Sequence, residues 1–321
     1  MKRVLACIAL AAAMVAQAAH AQTAGWPARP VRMIVPFTPG GTTDRIARLY
    51  AAHLSKELGQ QFIVDNRAGA SGTIGSEMIA RAQPDGYTLG IVPSSFAINA
   101  VLYKLPYHPV TGIAPVGMIV TGPLILTMHP SVPAAGLKEF IALARAKPGY
   151  LRYGSTGAGT NLHLAGALFE QMGALRMLHV PYKGQGPAVL DLTAGEIHLM
   201  FSGAGTMMPH IKAGKLRGIA QTMEKRSPLL PDLPAVAEFF PGYSADFWTA
   251  VLAPKGTPRE IVARLNREIG DFLGGDMRAR LMADGIQPAH TTPDELARII
   301  EREIATWGKV VKAANIKAGD S

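Results

Sequence analysis

Apolar runs alternate with amphipathic stretches along most of this chain, and their spacing predicts the order of strands and helices. The β-branched run at residues 31–35 predicts a buried strand. Residues 43–58 place apolar side chains on one face and predict a helix. Further strands are predicted at 62–64 and 88–92, and a further helix at 73–82. This alternation favours α/β layers around a largely parallel sheet.

A second series of alternating elements begins near residue 124, and three amphipathic segments with charged outer faces form the tail. The tail segments, 258–273, 277–283 and 292–313, predict packing helices rather than a separate domain. The strands predicted before them are residues 124–128, 177–180, 197–201, 216–221 and 248–252, and the helices are 137–146, 160–172, 187–194 and 206–213.

Residues 110–128 are uncharged and mostly apolar, so a membrane-spanning helix has to be considered for this segment. Pro115, Gly117, Gly122 and Pro123 interrupt the run. Two buried strands joined by a turn therefore fit better than a spanning helix.

The first 21 residues have the pattern of a secretory signal peptide. Lys2 and Arg3 precede an apolar stretch at 4–16, and Ala19-His20-Ala21 is an A-x-A cleavage signature. Cleavage is expected near Ala21, and a retained anchor helix is the alternative.

Export changes the composition of the mature chain. The single cysteine, Cys7, leaves with the signal peptide, which excludes disulfides and thiol chemistry. The formal net charge falls from +9 to +7, because Lys2 and Arg3 leave with it. The remaining basic residues are scattered without a Lys/Arg run, so we expect no nucleic-acid partner.

A glycine turn between the first strand and the first helix predicts an anion-binding site. Gly40, Gly41, Thr42, Thr43 and Asp44 stand where backbone N–H groups lack helical partners and the helix dipole is positive. The two threonines can cap the helix or bond a ligand oxygen. Asp44 aimed inward would repel a carboxylate, so we expect it to bond nearby backbone. The alternative is a well-capped strand–helix junction without ligand.

A second loop, residues 153–161 (YGSTGAGTN), repeats this combination of glycines, hydroxyls and a following helix. Two helix N-termini in different halves of the chain can bind one ligand from opposite sides. Three shorter polar stretches can complete the pocket, although each taken alone is more typical of an ordinary polar loop: residues 69–73, Ser94-Ser95 with Asn99, and residues 181–184.

Familiar catalytic and cofactor motifs are missing from the sequence. Gly41 is not followed by the Lys of a phosphate-binding loop, and no nucleophile elbow or metal-binding histidine spacing occurs. Ser155 with His163 is the one nucleophile–base pair that can be named, which leaves a hydrolase or isomerase of small acids as an alternative. His163 itself either orients the glycine loop or touches ligand. We expect no cofactor, no metal and no enzyme activity.

Several segments together resemble one family of receptors. They include WPARPVRMIVPFTPGGTTD (26–44), VDNRAGASGTIG (64–75), YGSTGAGTNLHLAGALF (153–169), HVPYKGQGPAVLDLTAGEIHLMF (179–201) and TWGKVVKAANIKA (306–318). Their order is similar to that of tripartite tricarboxylate transporter substrate-binding receptors, also called Bug receptors. The resemblance covers nearly the whole mature chain.

The resemblance implies an α/β, two-lobed type II periplasmic binding protein fold. Mixed sheets flanked by helices would form each lobe, with the ligand cleft between the lobes. Lobe 1 would combine residues 22–122 with 249–321, and lobe 2 would be residues 123–248.

The resemblance also implies a function. The chain would be a monomeric periplasmic receptor that captures a small carboxylate (a dicarboxylate, tricarboxylate or related organic acid) for the membrane permease subunits of such a transporter. A receptor that reports its ligand to a membrane signalling partner is the alternative. The implied ligand contacts are Phe37, Gly40, Gly41, Thr42, Thr43, Ala70, Ser71, Ser94, Ser95, Asn99, Ser155, Gly159, Thr160, His163, Tyr182, Lys183 and Ser202.

One position departs from the family pattern. The family commonly places Asp after the Leu199-Met200-Phe201 segment, and this chain has Ser202. A carboxylate there would favour a ligand with an ammonium or hydroxyl group, whereas serine exchanges neutral hydrogen bonds. We therefore expect a ligand without an amino group, such as a plain dicarboxylate or keto acid.

Overall fold

The computed structural model describes residues 25–313 and 316, so the predicted signal peptide lies outside the described residues. Within them, ten strands join into one continuous sheet system. The strands are β1 (Val31–Val35), β2 (Phe62–Asn66), β3 (Thr88–Pro93), β4 (Ile113–Met128), β5 (Arg152–Ser155), β6 (Leu178–Pro181), β7 (Leu199–Gly203), β8 (Arg217–Gln221), β9 (Asp246–Pro254) and β10 (Gln287–Pro288).

Ten α-helices accompany these strands in the described part of the chain. Most of them follow a strand directly, as the alternation in the sequence predicts. They are α1 (Thr42–Leu58), α2 (Thr73–Ala80), α3 (Ser95–Leu102), α4 (Leu137–Ala146), α5 (Asn161–Gly173), α6 (Gln185–Ala194), α7 (Ala204–Lys212), α8 (Arg259–Phe272), α9 (Gly275–Ala283) and α10 (Pro293–Ala313).

The sheet is mixed, in the order β2-β1-β3-β9-β4-β7-β5-β6, with β8 and β10 also paired to β4. Strand β1 runs parallel to β2 and β3, and β5 runs parallel to β6 and β7. Strands β4 and β9 run antiparallel to their neighbours. The expectation of a largely parallel sheet is therefore wrong, because an apolar run gives no sign of its neighbour's direction. The mixed character implied by the family resemblance is confirmed.

Strand β4 is one continuous strand, whereas the sequence predicted two strands joined by a turn. Its first part, up to Pro123, pairs with β9, and its last part, from Leu124, pairs with β7 and β8. The register to β9 shifts between Pro115 and Gly117 and again between Met118 and Val120. Such irregularities accommodate a proline that lacks an N–H group, so proline and glycine bend this strand without ending it.

The sequence patterns missed helix α3, strand β5 and the two-residue strand β10, because these segments lack a clear period. Helix α3 (SFAINAVL) buries Phe96, Ala97 and Ile98 together and has little polar face to reveal a helix. Strand β5 (RYGS) is four residues long and sits inside the glycine-rich loop.

The tail helices pack back onto the first half of the molecule. Helix α10 lies against α3 and β4, and α8 lies against β4 and α1. In the described residues, the membrane search finds no helix with the length and apolar content to span a bilayer.

Candidate functional site

A cavity of about 470 Å³, counted together with the open solvent at its edge, lies where several helices begin. Among its described lining residues, Asp44 is the one ionisable side chain. The lining consists of Phe37, Thr38, Gly41, Thr42, Thr43, Asp44, Pro93, Ser95, Leu124, Thr156, Asn161, Leu162, Gln185, Gly203 and Phe247.

Five helix N-termini contribute to this lining. Thr42 opens α1, Ser95 opens α3, Asn161 opens α5, Gln185 opens α6, and Gly203 precedes α7. The first N–H groups of a helix have no partner within it, and each helix places partial positive charge at this end. The cavity is therefore electropositive through backbone dipoles rather than through Lys or Arg side chains.

The Asp44 carboxylate is held by its own turn. One oxygen accepts hydrogen bonds from Gly40 N and Arg48 Nε, each at 3.0 Å, and the other accepts one from Asn66 Nδ2 at 3.0 Å. Burial acts to raise the pKa of Asp44, but the bonds from Arg48, Gly40 and Asn66 outweigh it and hold the pKa below its ordinary value. The prediction that Asp44 bonds nearby backbone is confirmed.

Gln185 reaches the α1 end from across the cavity. Its Oε1 accepts hydrogen bonds from Thr42 N at 2.6 Å and from Thr206 Oγ1 at 3.3 Å. Its Nε2 donates to Ser202 Oγ at 2.9 Å. One amide of the predicted anion-binding turn is therefore already bonded by a side chain, which the sequence analysis did not foresee.

The second predicted loop is held from behind by His163. Gly159 N donates to His163 Nδ1 at 2.9 Å, and Thr160 Oγ1 donates to Gly157 O at 2.9 Å. These bonds leave the next residues of the helix, Asn161 and Leu162, facing the cavity. The arrangement matches the role of His163 in orienting the loop.

Ser155 pairs with His179. Its fully buried Oγ lies 2.6 Å from His179 Nε2 and accepts a hydrogen bond from Gly157 N at 3.1 Å. Burial, followed by the neighbouring His163, lowers the pKa of His179 to about 3. The Ser155 hydroxyl is thus bonded to His179 and to the backbone of Gly157, and it fixes the glycine loop.

A second cavity, of about 850 Å³, adjoins the first through Phe37 and Thr156. Ser71 Oγ donates to Ala158 O at 2.6 Å across it, and Tyr103 OH donates to the same carbonyl at 3.2 Å. Its lining consists of Phe37, Gly69, Ala70, Ser71, Gly72, Tyr103, Thr156, Gly157, Ala158, Pro181, Tyr182 and Lys183.

Tyr182 and Lys183 differ in how they meet this second cavity. Tyr182 OH donates to Asp191 Oδ2 at 2.7 Å, and burial, followed by Asp191, raises the pKa of Tyr182 above its ordinary value. Lys183 is exposed to solvent. It is the one cationic side chain among the described residues that line the two cavities.

The predicted contact residues divide into three groups. Phe37, Gly41, Thr42, Thr43 and Ser95 line the first cavity. The second cavity is lined by Phe37 again, with Ala70, Ser71, Tyr182 and Lys183. The remaining predicted residues line neither of these two cavities and are Gly40, Ser94, Asn99, Ser155, Gly159, Thr160, His163 and Ser202.

Several lining residues were missed by sequence reasoning. Leu124 and Phe247 reach the cavity from β4 and β9, which are distant in sequence from either loop. Thr156 and Asn161 lie inside the second predicted loop and Thr38 stands just before the first, where their polar side chains were the available signal. Among the described residues, no group of three or more His, Cys, Asp or Glu side chains is placed to hold a metal ion.

A model of the tripartite tricarboxylate transporter family receptor matches residues 46–316. The chain belongs to this family. The BugT protein of Bordetella pertussis is 37% identical to it over 322 residues, an alignment that covers 99% of each chain.

Solved structures of similar proteins share this architecture. Rpa4515 of R. palustris, solved with adipate, has a TM-score of 0.88 and 40% identity, covering 91% of this chain and 99% of its own. The periplasmic binding protein BugD has a TM-score of 0.87 and 32% identity, covering 91% and 99%. MatC from Rhodopseudomonas palustris, with bound malate, has a TM-score of 0.84 and 32% identity, covering 89% and 100%. The expected periplasmic binding protein fold is thereby confirmed for this member of the receptor family.

Proposed function

We propose that this receptor captures a small dicarboxylate in the first cavity and delivers it, chemically unaltered, to the membrane permease subunits of a tripartite tricarboxylate transporter. The observation that carries the proposal is the meeting of five helix N-termini around a cavity whose one acidic side chain is already bonded. Backbone N–H groups and helix dipoles stabilise a carboxylate without a cationic side chain.

The apolar part of the lining supports a ligand with a hydrocarbon middle. Phe37, Leu124, Leu162 and Phe247 line the cavity together with the polar helix ends. They offer contact to methylene groups, each of which contributes about 0.8 kcal/mol when buried. The relatives solved with adipate and with malate bind acids of this type.

Ser202 favours a ligand without an amino group. It is fully buried and accepts its hydrogen bond from Gln185. A neutral hydroxyl supplies no counter-charge to an ammonium group, and burying an unpaired cation is costly. We therefore expect plain dicarboxylates to bind more tightly than aspartate or glutamate.

The proposed lobes are residues 22–122 with 249–321, and residues 123–248. The change of pairing partners near Pro123 supports this division, because β4 and β9 connect the two halves there. Closure of two lobes over the ligand presents a surface that a permease can recognise. The mature protein is a monomer in the periplasm, with its signal peptide removed near Ala21.

Calorimetric titration of the mature chain tests this function. The panel is acetate, succinate, glutarate, adipate, citrate and aspartate, followed by mass spectrometry of the recovered acid. A dicarboxylate at a hundred times its Kd is expected to raise the free energy of unfolding by about 2.7 kcal/mol and to be recovered unchanged. Absence of binding by every dicarboxylate, or conversion of one of them, contradicts the proposal.

A cellular experiment tests the transport role separately. Deletion of the gene that encodes this receptor is expected to abolish cellular uptake of the acid that it binds. Normal uptake with loss of gene induction by that acid would favour the signalling alternative.

A further inference from the structure

Neutral hydrogen bonds join Gln185, Thr42 and Thr206 in a closed ring at the α1 end of the first cavity, and Ser202 bonds Gln185 from outside the ring. Gln185 bonds Thr42 N, Thr206 Oγ1 and Ser202 Oγ, as described above. Thr42 Oγ1 and Thr206 Oγ1 lie 2.8 Å apart and close the ring. All four residues are buried, and none carries a formal charge.

The carboxamide oxygen of Gln185 occupies the position that an anion would take at this helix end. Thr42 N is one of the first amides of α1, which have no partner within the helix. The approach is close, because a Cβ added to Gly41 would stand 2.5 Å from Gln185 Oε1. A side-chain oxygen that fills this position competes directly with a ligand oxygen for the same donor.

The bonding partners of Gln185 fix which end of its amide faces the helix. The Nε2 group can only donate, and it meets Ser202 Oγ, which has no exposed surface. The oxygen end is fixed by Thr42 N, because a backbone N–H can only donate and therefore has to meet the carboxamide oxygen. Because every polar atom of the Gln185 amide is bonded, a ligand that displaced it would leave Ser202 short of its donor.

We propose that Gln185 determines specificity by holding the Thr42 amide in place of a ligand carboxylate, so that the site accepts a compact dicarboxylate and excludes a third carboxylate. The inference rests on the proposed function. The first-turn amides of α5 and the remaining first-turn amides of α1 provide two separate places for the two carboxylates of the ligand. The Thr42 position would have served the third.

Two substitutions test this assignment. Gln185→Ala frees Thr42 N and opens space beside it, so citrate should gain at least about tenfold in affinity relative to the best dicarboxylate. Gln185→Glu keeps the shape and the acceptor oxygen but adds a negative charge, so dicarboxylate affinity should fall by about a hundredfold. Gln171→Glu is the matched control, because Gln171 is exposed near the end of α5 and should leave every Kd unchanged.

Titration calorimetry of the mature wild type and the three variants, with succinate, glutarate, adipate and citrate, separates the outcomes. Suppose that the wild type binds a dicarboxylate, and that both Gln185 variants bind it with the same Kd and with the same affinity for citrate relative to it. The role of Gln185 is then overturned, while the proposed function stands. If the wild type binds none of these acids, both are overturned. Thermal unfolding shows whether each variant is folded. If Gln185→Ala does not fold, the isosteric Gln185→Glu alone tests the assignment.

Discussion

The imidazole rings of His163 and His179 stack with their centroids 3.9 Å apart and their planes 12° apart. Both rings stand behind the glycine loop that leads into α5. His163 accepts a hydrogen bond from Gly159 N, and His179 contacts Ser155, which in turn bonds Gly157. The loop geometry at the cavity therefore depends on two histidines that do not line it.

The stability of the fold should depend on pH through His179. Burial and His163 lower its pKa to about 3, whereas the unfolded chain protonates near 6.5. The stabilisation is therefore present above pH 6.5 and is lost as the pH falls from 6.5 towards 3. When the pH is lowered from 7 to 4.5, the free energy of unfolding of the wild type should fall by about 1–2 kcal/mol more than that of His179→Gln. Urea titrations at the two pH values measure this difference. Equal losses in the two proteins would contradict the assignment.

Asp44 should stabilise the α1 turn through its charge. Asp44→Asn weakens the hydrogen bonds from Gly40 and Arg48 and should lower the free energy of unfolding by about 1–3 kcal/mol at pH 7. Because its pKa lies below the ordinary 3.8, this contribution is lost as the pH falls below about 4. Asp276→Asn is the control, since Asp276 is an exposed first-turn aspartate of α9, and its effect should stay under about 1 kcal/mol.

A negative charge placed at the α5 end of the cavity should repel the ligand. Asn161→Asp is isosteric, and an acidic residue in the first turn suits the helix dipole, so the fold should keep its stability. The Kd for the best dicarboxylate should rise at least about tenfold in calorimetry. Gln171→Glu adds the same charge near the other end of this helix and should bind like the wild type. An unchanged Kd in Asn161→Asp would place the ligand elsewhere.

Two helical glycines should respond oppositely to alanine. A Cβ at Gly75 in α2 would stand 2.7 Å from Pro36 Cα and 2.9 Å from Arg67 O, both backbone atoms, so Gly75→Ala should cost about 1–3 kcal/mol of stability. At Gly308 in α10 the nearest atom is a Val101 methyl at 3.9 Å, and Gly308→Ala should stabilise the protein by about 0.5–1 kcal/mol. Thermal and urea unfolding measure both. Destabilisation of the same size at both positions would refute the packing argument.

Sequence patterns located most elements but not their directions or their partners. The predicted strand at residues 31–35 and helix at 137–146 have the same bounds as β1 and α4. The prolines and glycines of β4 were interpreted as a turn, because a strand that shifts register and changes partners has no distinct pattern in sequence. Helix α3 was missed because burial on nearly every side removes the amphipathic period.

The local chemistry of this protein was determined by its sequence. Glycines, hydroxyls and helix starts adjacent along the chain predicted two anion-binding loops, because helix-end N–H groups and dipoles depend on neighbouring residues. Only the tertiary structure decided what completes the site. Gln185 meets Thr42 across 143 positions, and Phe247 reaches the same cavity from β9. Contacts between such distant residues follow from strand order and packing, which side-chain pattern along one chain does not encode.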